Sequence, residues 1–252
     1  MYFFAILFAC LPVTQAGGDA NEHRPTAESV IEQFVIAKGG EAAMRKVENY
    51  TLKGKVLSKN KIVGEFEVYQ AANRSLSIDR FPDGSTRRSG TDGKLAWRID
   101  VDGKPTLLKG QEAQDFIRYN AVLHESLEWQ KRFEAIYFAG KKTVQGSQAH
   151  HLIFVASDNR QINRYFSVES GLLIREEQVV GTGQSMQIQI SEIGDYVREK
   201  NGVLGSRRRL NHFGSNYSVE FKVDSVETNT LNDGSLFAVP ESVAKLVDIK
   251  VE

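Results

Sequence analysis

The sequence predicts an α+β chain, mainly β, in which an unclosed antiparallel half-barrel of about eleven strands wraps over short helices that form a plug or lid. Three observations predict it. From Tyr50 onward, apolar residues recur at every second position in short runs separated by turn residues. Only two segments of any length, 26–38 and 111–130, repeat at helical spacing. Nearly every strand has an apolar face, and so few helices cannot cover a flat sheet of that size: eleven strands span roughly 50 Å, and each helix covers roughly 10 Å. Antiparallel sheets this large curl or close.

The 252 residues, 41% of them apolar, suffice for one sizeable β-rich core. Lys and Arg balance Asp and Glu at 32 each, so no net field steers the protein toward nucleic acid, and none is expected as a partner. The N-terminus has an apolar run from Tyr2 to Val13 followed by Thr14-Gln15-Ala16, which reads as a signal peptide over 1–16 with cleavage after Ala16. The run is shorter than the ~20 apolar residues that span a bilayer. The alternatives are a buried N-terminal strand or a membrane anchor. Cys10, the single cysteine, lies inside this run, so disulfides, thiol catalysis and Cys-based zinc sites are not expected in the mature chain. Lipidation at Cys10 is a competing reading, disfavoured by the bulky Phe8. The expected location is the periplasm.

After a polar linker, 17–25, the first helix begins at Thr26 as cap, with Glu28 in its first turn and Val30, Ile31, Phe34 and Val35 on one face. Gly39-Gly40 ends it, and a second short helix is expected over Glu41 to Lys46. The period then becomes two. Phe66 and Val68 share a strand face, as do Leu76 and Ile78, and Leu95, Trp97, Ile99 and Val101; turns fall at Pro82-Asp83-Gly84, Asp92-Gly93 and Asp102-Gly103. A helical interruption over 111–130 carries Phe116, Ile117, Leu127 and Trp129, with a break at Asn120, and is the expected lid. Seven further strands follow. The clearest place Met186, Ile188 and Ile190 on one face, and Tyr217, Val219, Phe221 and Val223 on another. No linker interrupts them, so 26–252 is read as a single domain.

The opening strand "YTLKGKV", the preceding helix ending in Gly-Gly-Glu-Ala, the "DGKLAWRID" hairpin, the mid-chain helix, "INRYFSVESGLLIREE" and "VETNTLNDGSLFAVP" together resemble the periplasmic outer-membrane lipoprotein carrier superfamily (LolA/LolB-like) over residues 26 to 240. The resemblance implies an unclosed barrel with a helical lid over an apolar cavity that takes acyl chains of lipoproteins or other lipids. The chain departs from that pattern at "NGVLGSRRRLNHF", where three arginines stand in place of a proline-containing start to the strand. The candidate lining is Phe66, Val68, Trp97, Ile99, Met186, Ile188 and Phe221. For Trp97, core packing is an equal alternative. Arg208 is the candidate charge at the rim, where it would meet a lipid headgroup; a solvated edge-strand arginine is the alternative.

No catalytic residues are expected. Asp195, Glu176, Glu177, Asp224 and Glu227 lack a spacing that pairs two of them, and no nucleophile elbow or P-loop is present. No metal and no cofactor are expected either, because His150 and His151 point to opposite faces of a strand. The sequons at Asn49, Asn73 and Asn216 are read as incidental. The expected role is a monomeric carrier of lipid or acyl chains with a possible envelope protein partner. The alternative is an envelope interaction domain with a filled core.

Overall fold

The computed structural model describes residues 24–120, 123–181, 186–214 and 217–248. The 1–16 signal segment with Cys10, most of the linker and the Asn216 sequon lie outside them.

Helix α1 (Ala27–Lys38) is capped as its sequence predicts: Thr26 Oγ1 accepts from Ser29 N at 3.2 Å. At its other end Gly39 (φ 124°) and Gly40 (φ 86°) return their N–H groups to Ile36 O and Val35 O. A Cβ at Gly39 would lie 2.6 Å from the Gly202 carbonyl oxygen, so this end of α1 rests directly on a turn of the sheet. Helix α2 (Glu41–Arg45) follows.

The first meander is β1 (Asn49–Ser58), β2 (Lys61–Ala71), β3 (Arg74–Arg80), β4 (Thr86–Thr91), β5 (Ala96–Ile99) and β6 (Pro105–Leu107). Helix α3 (Gly110–Asn120) then leads through turns and a short 3-10 helix (Trp129–Lys131) into the second meander. Its members are β7 (Ala135–Val144), β8 (Ser147–Val155), β9 (Gln161–Ser167), β10 (Leu173–Val180), β11 (Gln187–Arg198), β12 (Leu204–Phe213) and β13 (Tyr217–Thr228). A 3-10 turn (Gly234–Phe237) and helix α4 (Glu241–Asp248) close the described chain.

All thirteen strands form one antiparallel sheet in the order β6-β5-β4-β3-β2-β1-β13-β12-β11-β10-β9-β8-β7. The sheet is unclosed, with β6 and β7 at its edges. The first and last strands pair at its centre, where Tyr50 faces Thr228 and Val56 faces Phe221. The count exceeds eleven for two local reasons. Strand β4, "TRRSGT", has no apolar residue and so no alternation to read, and the second arm of the Asp102-Gly103 hairpin is a three-residue edge strand, β6. The helix expected over 111–130 is half that length: Asn120 Nδ2 bonds back to Phe116 O at 2.8 Å, and turns take over from Leu123.

Directly paired residues share a face of the sheet. One face, which we call the cavity face, carries Leu52, Val68 and Ser77 in one row across β1, β2 and β3. On its second half α1 packs over Ile136, Leu152, Phe154, Ile162 and Phe166, with Phe133 beneath the 3-10 helix. Helix α3 also lies on this face, joined by Arg98 to Glu112 at 3.5 Å. The outer face of the first meander is covered by the C-terminal segment, where Leu76, Trp97, Phe237 and Val243 form a separate core.

Candidate functional site: a three-chambered hollow

Three chambers lie on the cavity face, two of them beneath the elements laid over it and the third bordered by strand residues alone. The largest, about 490 Å3, lies beneath α1 and the turns before β7; Ile31, Phe34, Lys38, Glu125, Trp129, Phe154, Arg164, Glu176, Ile193, Tyr196 and Arg209 are among its walls. The second, about 270 Å3, is bounded by Lys38, Met44, Tyr50, Leu52, Glu199 and Val226. The third, about 300 Å3, is bounded by Leu52, Phe66, Val68, Ser77, Phe221 and Val223. They adjoin: Lys38 and Leu123 border the first two, Ile193 and Arg209 border the first and third, and Ser206 borders all three. Together they reach the size that buries a small amphiphile.

The third chamber depends on a glycine. Gly54 of β1 stands opposite Phe66 and Val223, and a Cβ there would lie 2.0 Å from the Lys222 carbonyl oxygen and 2.8 Å from the Phe66 ring. Without that atom, Phe66 folds across β1 to meet Phe221 edge to face, with centroids 5.6 Å apart and planes at 70°. Val68 borders the same space, so three of the seven expected lining residues come together here.

The other four do not. Trp97 is 1% exposed and packs with Leu76, Phe237 and Val243, and Ile99 packs against the same core. Its neighbour Arg98 pairs with Ser89, which pairs with Ser77, so Arg98 shares the cavity face and Trp97 stands on the outer one. The greasy face of that hairpin covers the C-terminal segment. Met186 and Ile188 do lie on one face of the chain, but it is the outer one: Gln189 and Ile193 border the first chamber, while Met186 and Ile188 are each 59% exposed. Alternation groups residues by face without saying which face is inward.

Of the expected lid residues, Phe116 and Ile117 are half-buried on α3 and Leu127 is half-buried in the turns, whereas Trp129 borders the first chamber. Helix α3 is tied to the β8–β9 turn by Gln111, whose Nε2 donates to Asp158 Oδ2 at 3.0 Å, by Arg118, whose Nη1 donates to the same oxygen at 3.2 Å, and by the Asp115–Arg160 ion pair. Burial alone would raise the Asp158 carboxyl, but hydrogen bonds from Arg160 and Arg118 outweigh it and hold it below the usual carboxylate range.

Arg208 borders the third chamber with its Nε held by Glu220 Oε1 at 2.6 Å. Of the three successive arginines, the one that borders the first chamber is Arg209. The ladder between β11 and β12 is interrupted here without a change of register: Gly194 pairs with Arg208 and Tyr196 with Ser206, Asp195 and Arg207 between them are not paired, and Asp195 adopts φ 53°. Ser206 and Arg209 both border the hollow despite their odd spacing.

The first chamber has a charged wall that periodicity did not foretell. Arg164 Nε lies 2.8 Å from Glu176 Oε2, and Arg164 Nη2 lies 2.9 Å from Glu125 Oε2. Arg209 Nη2 donates to Glu176 Oε1 at 2.7 Å and to Ser191 Oγ at 3.1 Å, and Ser191 Oγ donates to Asn211 Oδ1 at 2.8 Å. The Arg164 guanidinium also lies over the Phe154 ring, 4.6 Å from its centroid. Burial pushes the Glu176 carboxyl up, but Arg164 and Arg209 outweigh it and bring it down to about 2. Burial lowers the Lys38 ammonium to about 8, with the charge of Glu199 opposing. Arg164 and Glu176 pair directly across β9 and β10, in a register reached only after a shift between Leu173 and Arg175, so counting outward from the "SVESG" turn does not bring them together.

His150 and His151 stand on opposite faces of β8, His150 beside Phe138 and His151 stacked on Tyr165 with centroids 4.6 Å apart. Among the described residues, no group of three or more His, Cys, Asp or Glu is placed to hold a metal, and no helix is long and apolar enough to cross a membrane.

Solved structures share this fold. A LolA superfamily protein from Nitrosomonas europaea superposes with a TM-score of 0.58 at 11% identity, over 85% of this chain and 98% of that one. The fold is LolA-like. A DUF1329 family protein from Desulfovibrio piger matches the LolA-like sheet with a TM-score of 0.57 at 8% identity, over 84% of this chain and 96% of the other. A putative outer membrane lipoprotein-sorting protein domain from Vibrio parahaemolyticus matches with 0.54 at 8% identity, over 83% and 95%. No family model matches the sequence, and neither does any curated protein.

Proposed function

We propose that this LolA-like chain is an exported, non-catalytic binding protein or carrier whose hollow takes an acyl chain or a similar lipid in the cell envelope. The observation that carries this reading is the run of three adjoining chambers on the cavity face, two of them bordered by α1 and the third with Leu52, Phe66, Val68, Phe221 and Val223 among its walls. The fold it shares with a LolA superfamily protein and a lipoprotein-sorting domain supports the reading. Binding there draws on buried apolar area, at about 25 cal/mol per Å2. Export through cleavage of the 1–16 segment, a periplasmic location, a monomeric state and delivery to an envelope protein belong to the same proposal.

Native mass spectrometry of the protein purified from the periplasm tests it. Co-purifying lipid is the expected result. Absence of lipid, together with no displacement of a hydrophobic dye by fatty acids, would favour an envelope interaction domain instead.

A further inference from the structure

Every carboxylate bordering the hollow already has a cationic partner. Glu125 and Glu176 are held by Arg164, Glu176 also by Arg209, Glu199 by Arg207 at 2.7 Å, and Asp79 by Arg87 at 2.9 Å. The arginines are correspondingly occupied. Lys38 differs. It borders both the first and second chambers, and among the described residues it is the cation of the hollow without a hydrogen bond or an ion pair. Its neighbours are the Phe34 ring, 6.0 Å from Nζ, and the more distant charge of Glu199. A half-buried lysine ammonium with no counter-charge in contact is costly unless something supplies one.

The walls change character with distance from Lys38. Leu52 borders both the second and third chambers, and beyond it Phe66, Val68, Phe221 and Val223 line the third, whose charged members Asp79, Arg208 and Arg209 are held in ion pairs with Arg87, Glu220 and Glu176 respectively. A cation without an ion pair therefore stands at one end of a path whose other end offers apolar side chains and charges already paired. We propose that the ligand is a single-chain amphiphile with an anionic head, its head against Lys38 and its tail running past Leu52 into the chamber walled by Phe66 and Phe221. This rests on the carrier reading and names its ligand class. A carboxylate and a phosphate ester share the required chemistry, a compact anion that accepts charge-assisted hydrogen bonds from an ammonium.

The experiment is competition with a bound hydrophobic dye by decanoate, decyl phosphate and 1-decanol, using the protein expressed from its full sequence at neutral pH. The acids are expected to bind at least about tenfold more tightly than the alcohol, the worth of one hydrogen bond to a charged group. Lys38→Met is expected to erase that difference while leaving 1-decanol binding intact, which also shows that the variant is folded, and Lys38→Arg to retain it. The tighter of the two acids identifies the head. Equal binding of all three probes, or an acid preference that survives Lys38→Met, would overturn the head assignment and leave the carrier reading standing. Failure of every probe to displace the dye would overturn the carrier reading itself.

Discussion

Arg164 and Glu176 face each other across β9 and β10 with Nε and Oε2 2.8 Å apart, and both side chains are nearly inaccessible to water. Arg209 and Glu125 extend the pair on either side, so the charged wall of the first chamber holds itself together without a ligand. Its members are mutually dependent, because removing one leaves a buried charge uncompensated.

Glu176→Gln should therefore destabilise the protein by about 3 kcal/mol, in the range found when one partner of a buried pair is lost. Arg164 keeps Glu125, which holds the loss below the upper end. Urea unfolding measures it.

Acid should act through the same residue. The Glu176 carboxyl sits at about 2 in the fold against its usual 4.5, so its contribution is complete above 4.5 and is lost as pH falls from there through about 2. The melting temperature should drop across that window, and the drop should be shallower in Glu176→Gln.

Gly54→Ala should be among the most damaging small substitutions. The new methyl group would meet a backbone oxygen at 2.0 Å, and backbone cannot swing aside as a flexible side chain can. A loss of about 3 kcal/mol is expected, the scale of severe overpacking. Thermal unfolding measures it, and loss of apolar-dye binding should accompany it if the Phe66–Phe221 contact opens.

Asp158→Asn should loosen α3 without unfolding the sheet. Gln111, Arg118 and Arg160 all donate to this carboxylate, which is partly solvated, so global stability should change by about 1 kcal/mol or less. Hydrogen exchange at residues 111–118 should accelerate while β8 and β9 stay protected.

Trp97→Phe should leave ligand binding unaltered, since Trp97 lies on the outer face. Its buried Nε1 has no hydrogen-bond partner among the described residues, so the substitution removes an unsatisfied donor along with some apolar area, and stability should shift by no more than about 1 kcal/mol. The variant also leaves Trp129, which borders the first chamber, as the sole tryptophan, so any fluorescence change on adding lipid reports from the hollow.

The legible part of this molecule was its local order. Thr26 and Gly39-Gly40 bound the first helix where capping chemistry places them, and alternation located the strands except β4, whose six residues include no apolar one, and the three-residue edge strand β6. The inward face was not legible. Trp97 and Phe66 look alike as apolar strand residues, and what separates them is a C-terminal segment more than a hundred positions away that covers one and not the other. The break in the ladder at Asp195, whose φ is 53°, lets Ser206 and Arg209 both border the hollow, and such a local break leaves no mark in a hydropathy pattern. Lys38 was hidden by its position: a basic residue in the last turn of a helix is expected from the helix dipole alone.

The pairing of β1 with β13 sets the order in which this chain can be made. Each meander joins strands that are neighbours in sequence, so both can zip up locally and early, whereas the seam between them unites the start and the end of the domain. Until Tyr217–Thr228 has been synthesised, β1 has a bare edge, and α1, which is continuous with the first half, has no second half to cover. A nascent chain thus presents open strand edges and uncovered phenylalanines together, a state that invites aggregation until the last strand arrives.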